Sequence, residues 1–394
     1  MTAPRSIVVT GGGLAATRTV EEARRLGLDS RITVVCAEAH APYDRPPLSK
    51  QVLRGERPDA PLRDDWSDLD VDLRLGSRAV ALRPGERTVL LDDGERLDYD
   101  ALVVATGARP RTLPGISGAG AHVLRTLEDS RSLAEDIRRT GTLTIVGGGL
   151  IGCEVAASAR ALGADVTLLE LLPAPLARIL GGQVAAEVAR MHEDAGVRLL
   201  CGRSVVEARG EGPDRELLLS DGSTLSAPVV LVGLGVLPDT EWLDGSGIAV
   251  DNGVVCTATG RTSVDGVWAA GDVARWEHPL FGTHLRMEHW TSAADQGTAV
   301  ARDLAGAPVA LAEVPYFWSD QYGSKLQILG MPHPDDQVTL LRVGPDADRL
   351  LAVYGRDGVV TAVLGAAAPR WVMRMRPLLR DGAPYEDALA AARA

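Results

Sequence analysis

The apolar positions of this chain fall twice into one order: a short unbroken apolar run, a glycine turn, then a longer stretch with helical spacing. Ile7-Val8-Val9 leads into Gly11-Gly12-Gly13-Leu14-Ala15-Ala16, and Thr144-Ile145-Val146 leads into Gly147-Gly148-Gly149-Leu150-Ile151-Gly152. Unbroken short runs suit strands buried on both faces, as in a parallel sheet. The first helical stretch runs to Gly27 and gives way to the strand pattern Arg31-Ile32-Thr33-Val34-Val35-Cys36. The second runs to Gly163 and gives way to Asp165-Val166-Thr167-Leu168-Leu169, with Glu170 at its end. The pattern predicts two βαβ units.

A second pair of segments repeats as well. Leu102-Val103-Val104-Ala105-Thr106-Gly107-Ala108-Arg109-Pro110 and Val230-Leu231-Val232-Gly233-Leu234-Gly235-Val236-Leu237-Pro238 are each an apolar strand, a small-residue turn and a proline. A duplicated domain leaves such a trace, and the second unit is expected to be inserted into the first. A third turn, Gly271-Asp272-Val273-Ala274, follows Val267-Trp268-Ala269-Ala270. From Val314 the character changes: Tyr316-Phe317-Trp318-Ser319-Asp320-Gln321-Tyr322 holds four of the fifteen aromatics. Alternating apolar and polar residues around Gly344, Gly355 and Gly358 then predict antiparallel strands ahead of an arginine-rich segment. The expected organisation is an FAD-binding domain in two parts (1–109 and 236–315), an NAD-binding domain (110–235) and a small α+β domain (316–394).

Those cofactors follow from the turns. Glycines let the backbone turn tightly and approach a pyrophosphate, whose charge then faces a helix N-terminus. Two such turns imply two dinucleotides, most economically a flavin exchanging electrons with a nicotinamide. The candidate contacts are Gly11, Gly13, Leu14, Ala15 and Ala16 in the first turn, and Gly147, Gly149, Ile151 and Gly152 in the second. Glu38 follows the first of the next strands, placed to accept from an adenosine ribose, and Glu170 ends the second, where a carboxylate accepts from the ribose hydroxyls and repels a 2′-phosphate. Arg178, the nearest basic residue after Glu170, is eight positions on, so NADH is expected over NADPH; Arg178 and Gly235 complete the nicotinamide-nucleotide set. Asp272 is placed to meet the ribitol of FAD.

Composition narrows this further. The 394 residues, 45% apolar, allow two or three domains. The net charge of −12 argues against nucleic acid, which needs a basic footprint. No apolar run approaches a membrane span, and the N-terminus leads into the first strand without an apolar leader, so a soluble, cytoplasmic protein is expected. Cys36, Cys153, Cys201 and Cys256 are far apart and form no CxxC or CxxxxC pair, so disulfide-reducing chemistry is not expected. They read as small buried residues. The seven histidines lack metal-ligand spacing; His278, His284 and His289 are assigned to packing or flavin-side contacts, and no metal is expected.

At these residues the chain resembles the FAD-dependent ferredoxin reductases of oxygenase systems. These are putidaredoxin reductase-like members of the pyridine nucleotide-disulfide oxidoreductase superfamily that lack its redox disulfide. The specific marks are Pro42-Tyr43-Asp44-Arg45-Pro46-Pro47-Leu48-Ser49-Lys50, Ala105-Thr106-Gly107-Ala108-Arg109-Pro110, Leu124-Arg125-Thr126-Leu127-Glu128-Asp129 and Gly152-Cys153-Glu154. Gly271-Asp272-Val273-Ala274, Glu288-His289-Trp290 and Phe317-Trp318-Ser319-Asp320-Gln321-Tyr322 add to them. The last run is the most diagnostic, since broader relatives of the fold generally lack it.

The resemblance implies an α/β, glutathione reductase-like fold of two Rossmann-like domains plus a C-terminal α+β domain. It implies FAD contacts from Ala15, Glu38, Arg45, Lys50, Ala79, Arg125, Asp272 and Trp290, with Ala79 and Trp290 acting mainly through their backbones. Pro46, Ala105, Thr106, Gly107, Gly271, His289 and Trp318 join the cofactor-binding set from the same motifs. Two positions depart from the family: Ala37 where many relatives carry an acid, and Ala16 in place of the third glycine. The catalytic pair is expected to be Lys50, beside flavin N5, and Glu154, compensating the ammonium and touching the nicotinamide amide. The implied enzyme is an FAD-dependent NADH:ferredoxin oxidoreductase, delivering electrons singly to a separate iron–sulfur ferredoxin that serves a cytochrome P-450 or Rieske-type oxygenase. An NADH oxidase, a rubredoxin reductase or a signalling flavoprotein resembling apoptosis-inducing factor are the alternatives. A monomer or weak dimer is expected. Arg370, Arg374, Arg376 and Arg380 form an acid-free cluster, with Arg370 and Arg374 on one helical face and Pro377 set to break the helix. The cluster is a candidate docking surface for the ferredoxin.

Overall fold

The computed structural model describes residues 4–393. They divide into two compact units. The first holds residues up to Asp44, Ala60–Arg109 and Leu237–Glu313; the second holds Arg45–Asp59, Pro110–Val236 and the chain from Val314 onward.

A five-stranded parallel sheet forms the centre of the first unit, in the order Val267–Ala269, Ala101–Val104, Ser6–Thr10, Arg31–Cys36, Val71–Leu75. Ser6–Thr10 is the middle strand, and Ile7, Val8 and Val9 are all buried, as an unbroken apolar run requires of a strand covered on both faces. The helices Leu14–Arg25 and Trp290–Leu304 pack closely, and Thr19 Oγ1 lies between them, within donating reach of the Ala15 carbonyl at 2.8 Å and the Gly297 carbonyl at 3.2 Å.

The second unit repeats the plan with a parallel sheet ordered Arg198–Cys201, Asp165–Glu170, Thr142–Val146, Val230–Val232, Ala121–His122. In both sheets the strand before the glycine turn lies between the strand that leads to the acidic residue, Glu38 just beyond Cys36 or Glu170 at its end, and the strand of the repeated proline segment. That is the position from which a ligand at the carboxyl ends of the strands is reached.

The alternating pattern after Val314 forms an antiparallel sheet ordered Tyr316–Gln321, Ser324–Gly330, Val359–Ala366, Arg349–Arg356, Gln337–Val343. One face, with Phe317, Leu326, Ile328 and Leu364, packs onto Leu180, Val184 and Val188 of the helix Ala177–Asp194. Beyond the sheet the helix Pro369–Arg374 stops and a second, Arg376–Arg380, begins. Pro377, which has no N–H to continue the first helix, sits in the first turn of the next. Arg370 and Arg374 do share a helix, but they differ in use: Arg374 donates to the Ala391 carbonyl at 3.1 Å while Arg370 is exposed.

Candidate cofactor-binding and active site

In the first unit the turn after Ser6–Thr10 is tied back by Gly11 N–H donating to Val35 O at 2.8 Å. Gly11 has φ +125°, and a Cβ there would lie 2.0 Å from the Ala105 carbonyl oxygen. Only glycine lets this turn close against Ala105-Thr106-Gly107. The helix Leu14–Arg25 then starts on Gly13, with no capping side chain and no acid in its first turn. A Cβ on Gly13 would meet nothing within 4 Å, and an uncapped helix start of this kind suits an anion. Ala15 and Ala16 are buried along this helix.

Around that helix start, Thr106 Oγ1 donates to Asp239 O at 2.8 Å, and Asp239 N–H donates to Gly107 O at 3.0 Å. The Tyr43 hydroxyl donates to Glu38, orienting the acid expected at a ribose. Ala79 is buried at the start of the strand Ala79–Arg83. Gly271, at φ +81°, donates its N–H to Gln296 Oε1 at 2.8 Å and thereby sets the backbone of Asp272. His289 caps the helix that opens with Trp290, whose indole N–H donates to Asp44 at 2.8 Å. Loss of hydration pushes the His289 imidazole down to about 4, against the pull of the Asp272 carboxylate, so it is neutral at physiological pH.

The second unit carries the matching cradle. Gly147 N–H donates to Leu169 O at 2.8 Å, and a Cβ on Gly147, at φ +111°, would lie 2.4 Å from Gly233 O. The helix Leu150–Ala161 starts on an uncapped Gly149, where a Cβ would meet only the Gly233 carbonyl oxygen, at 4.0 Å. Gly152 lets that helix pass over the turn, since a Cβ there would lie 2.1 Å from Gly147 O. Glu170 Oε2 accepts from Gly148 N–H at 2.7 Å and Oε1 from Leu172 N–H at 2.8 Å. Each oxygen keeps a lone pair for a hydroxyl. Arg178 lines a cavity of about 550 Å³ with Leu172, Pro173 and Ala174, on the chain just beyond Glu170. Gly235 O accepts from Arg111 N–H at 2.9 Å. Ile151, Leu171 and Leu234 are 44%, 61% and 39% exposed at this end of the sheet, apolar surface suited to a planar ring. Sequence reading named only Ile151, because exposure of an apolar residue has no signature in the sequence.

Lys50 and Glu154 meet in the second unit. Lys50 Nζ lies 2.6 Å from Glu154 Oε2, and the residues are only 6% and 4% exposed. Lys50 Nζ also donates to Pro46 O at 3.1 Å, and the Ser49 hydroxyl donates to Glu154 Oε2 at 2.5 Å. Taking two charges out of water is costly and persists only with close geometry and satisfied partners. The turn Pro46–Ser49 is held from two helices, by Ser130 Oγ donating to Leu48 O at 2.7 Å and Ser158 Oγ to Ser49 O at 2.6 Å. Arg45 donates to the Arg125 carbonyl. The Arg125-to-Asp129 motif has a physical reason of its own: Thr126 and Asp129 form a reciprocal capping box on the helix Leu127–Thr140. Trp318 stacks on Tyr316 with ring centroids 6.1 Å apart and lies under the Lys325 ammonium at 5.5 Å.

All four cysteines are free. Burial pushes the Cys36 and Cys256 thiols up to about 12, so neither favours the thiolate that redox exchange requires. Among the described residues no group of three or more His, Cys, Asp or Glu could hold a metal ion, and no helix is long and apolar enough to cross a membrane.

Residues 5–297 match the family model described as pyridine nucleotide-disulphide oxidoreductase. The chain belongs to this family. Residues 316–394 match a second model, described as reductase C-terminal. The chain is 39% identical over 387 residues to the ferredoxin–NAD(+) reductase component of the anthranilate 1,2-dioxygenase system of Burkholderia cepacia, covering 95% of this chain and 94% of that protein. It superposes on the reductase in the crystal structure of the covalent putidaredoxin reductase–putidaredoxin complex with a TM-score of 0.92, at 31% identity and with all of both chains covered. It also superposes on the ferredoxin reductase for the CYP199A2 system from Rhodopseudomonas palustris, with a TM-score of 0.92 at 32% identity, covering 98% and 97% of the two chains. The protein is a flavin-dependent oxidoreductase using FAD and NAD(H), with two Rossmann-like domains and a C-terminal domain. Both glycine turns lead into helix starts without a capping side chain, which fits the phosphates of those dinucleotides.

Proposed function

We propose that the protein takes hydride from NADH and delivers the electrons singly to an iron–sulfur ferredoxin serving a Rieske-type or cytochrome P-450 oxygenase. FAD, when bound, supplies the exchange between two-electron and one-electron chemistry. In this reading 1–109 and 236–315 bind FAD, 110–235 binds NADH, and 316–394 forms the C-terminal domain. The first cradle, Glu38 and Asp272 hold the flavin nucleotide, joined by Arg45, Ala79, Arg125 and Trp290. The second cradle and Glu170 hold NADH. Lys50 presents its ammonium to the flavin, and Glu154 keeps that ammonium fixed while accepting from the nicotinamide amide. Hydride transfer needs reacting atoms held about 3–3.5 Å apart, so positioning is the main contribution of these residues.

The carrying observation is the pair of helix ends shaped for pyrophosphate on a chain whose four cysteines are all free. That combination suits hydride and electron transfer rather than disulfide exchange. The names of the relatives, as ferredoxin–NAD(+) reductase components, support the choice of acceptor. The test is cytochrome c reduction by NADH with and without added ferredoxin. Rapid reduction only with ferredoxin is expected. Equal rates without it, or NADH consumption balanced by oxygen uptake, would assign the protein to an oxidase instead.

A further inference from the structure

Lys50 and Ser49 both bind one oxygen of Glu154, Oε2. The other oxygen, Oε1, accepts a hydrogen bond from Ser319 Oγ at 2.8 Å. Ser319 comes from the strand Tyr316–Gln321, 165 residues further along the chain, and has no exposed surface. Side chains alternate along a strand, so Phe317, Ser319 and Gln321 share one face. All three are buried, whereas Tyr316, Trp318 and Asp320 on the other face are half-buried. Two polar residues therefore occupy core positions of a sheet otherwise filled by Leu326, Ile328, Ala352 and Leu364. Burying them is unfavourable unless their hydrogen bonds are made.

Gln321 explains why the contact runs in one direction. Its Nε2 donates to Ser319 Oγ at 3.0 Å. A hydroxyl has one proton, and with an amide N–H already directed at its oxygen, that proton is left for Glu154. Turning the Gln321 amide over would make its oxygen compete for the same proton and leave Glu154 Oε1 facing a lone pair. The polarity amide to hydroxyl to carboxylate thus supplies Glu154 Oε1 with a donor, while Gln321 Oε1 stays buried without a hydrogen-bond partner. With Lys50 and Ser49 on Oε2 and Ser319 on Oε1, the plane of the carboxylate is fixed from both ends.

We propose that Ser319, its proton directed by Gln321, is a positioning residue that sets the Glu154 carboxylate and through it the Lys50 ammonium. The C-terminal strand would then complete the active site. This rests on the roles given to Lys50 and Glu154 above. Without the Ser319 hydroxyl, Oε1 is left buried with no donor, and the carboxylate is free to rotate about its last torsion.

The test is a double-substitution cycle with Ser319→Ala and Glu154→Gln, read in two ways on the FAD-loaded protein: denaturant unfolding, and stopped-flow reduction of the flavin by NADH. A hydrogen bond to a charged group corresponds to roughly tenfold or more in an equilibrium constant. Ser319→Ala is therefore expected to slow the limiting rate of flavin reduction about tenfold, and to do nothing further in the Glu154→Gln background. The unfolding constants should show the same non-additivity, and Ser319→Thr, which keeps the hydroxyl, should restore most of the rate. Gln321→Met, which keeps the volume but not the donor, should give a smaller loss of the same kind. Additive effects in both readouts would reduce Ser319 to strand packing and overturn the proposal. Coupled unfolding constants together with an unchanged rate in Glu154→Gln would leave Ser319 as the residue that sets the carboxylate, and would instead remove Glu154 from the reaction.

Discussion

Among single residues, Glu170 is the one proposed to select the nicotinamide nucleotide, and its geometry sharpens the expected result of replacing it. Its two oxygens hold the Gly148 and Leu172 N–H groups, beside the ribose contact proposed for them. Glu170→Arg should therefore narrow the NADH-over-NADPH preference while also lowering kcat/KM for NADH, by about tenfold or more for the loss of charge-assisted hydrogen bonds. Flavin reduction rates with the two nucleotides measure this, and a wild type that uses NADPH equally well would remove Glu170 from the recognition of the ribose. His192 gives a residue-scale prediction for stability. It is fully buried, with Nδ1 2.7 Å from the Tyr322 hydroxyl, and desolvation holds its imidazole down to about 4. The unfolded chain takes up that proton near pH 6.5 and the folded chain does not, so the contribution is complete above about 6.5 and is lost as pH falls toward 4. Between pH 7.5 and 4.5 the wild type should lose about 2–3 kcal/mol more stability than His192→Asn. Parallel pH profiles of urea unfolding in the two proteins would show that His192 does not carry this loss.

At the scale of elements, the helix pair Pro369–Arg374 and Arg376–Arg380 separates docking from structure. Arg374 is committed to the Ala391 carbonyl, so charge reversal there should lower stability as well as affect any partner. Arg370 is exposed, and Arg370→Glu should act on association alone. If the segment meets an acidic ferredoxin, Arg370→Glu should lower ferredoxin-dependent turnover several-fold at low salt, with the difference fading as salt screens the charges. NADH reduction of the flavin should be untouched. Turnover equal to wild type throughout a salt series would place the docking surface elsewhere.

For the whole molecule, two cradles with uncapped helix ends mean that bound dinucleotides contribute to stability by mass action. Stripping FAD should lower the unfolding midpoint. Restoring it at about a hundred to a thousand times its Kd should return roughly 3–4 kcal/mol. Calorimetry on the stripped and reloaded protein checks this, and a midpoint indifferent to FAD would mean that the first cradle does not hold it. The parallel sheets make this coupling natural, because the residues expected at each cofactor lie at or just beyond the ends of strands far apart in the chain, Gly11, Ala105 and Gly271 in one unit and Gly147, Glu170 and Gly235 in the other.

The local chemistry of the two glycine turns was legible in the sequence. Gly152 is dictated by backbone approach to Gly147 within a single strand–turn–helix, whereas Gly11 and Gly147 make room for the distant carbonyls of Ala105 and Gly233 and were legible only through the glycine pattern itself; the apolar runs beside them identified the central strands. The Pro377 break and the antiparallel tail were readable for the same reason, since a missing N–H and a two-residue alternation act over a few residues. The motif spacing brought Lys50 and Glu154 under suspicion but could not say how they are held. That depended on Ser130 and Ser158 fixing the 46–50 turn, and on Ser319 reaching Glu154 across 165 residues. Nor could the sequence tell Arg374, tied to Ala391, from Arg370, left exposed. Tertiary structure alone decided these points, because a hydrogen bond between distant segments leaves no periodicity along the chain and exists only once packing has brought its two ends together.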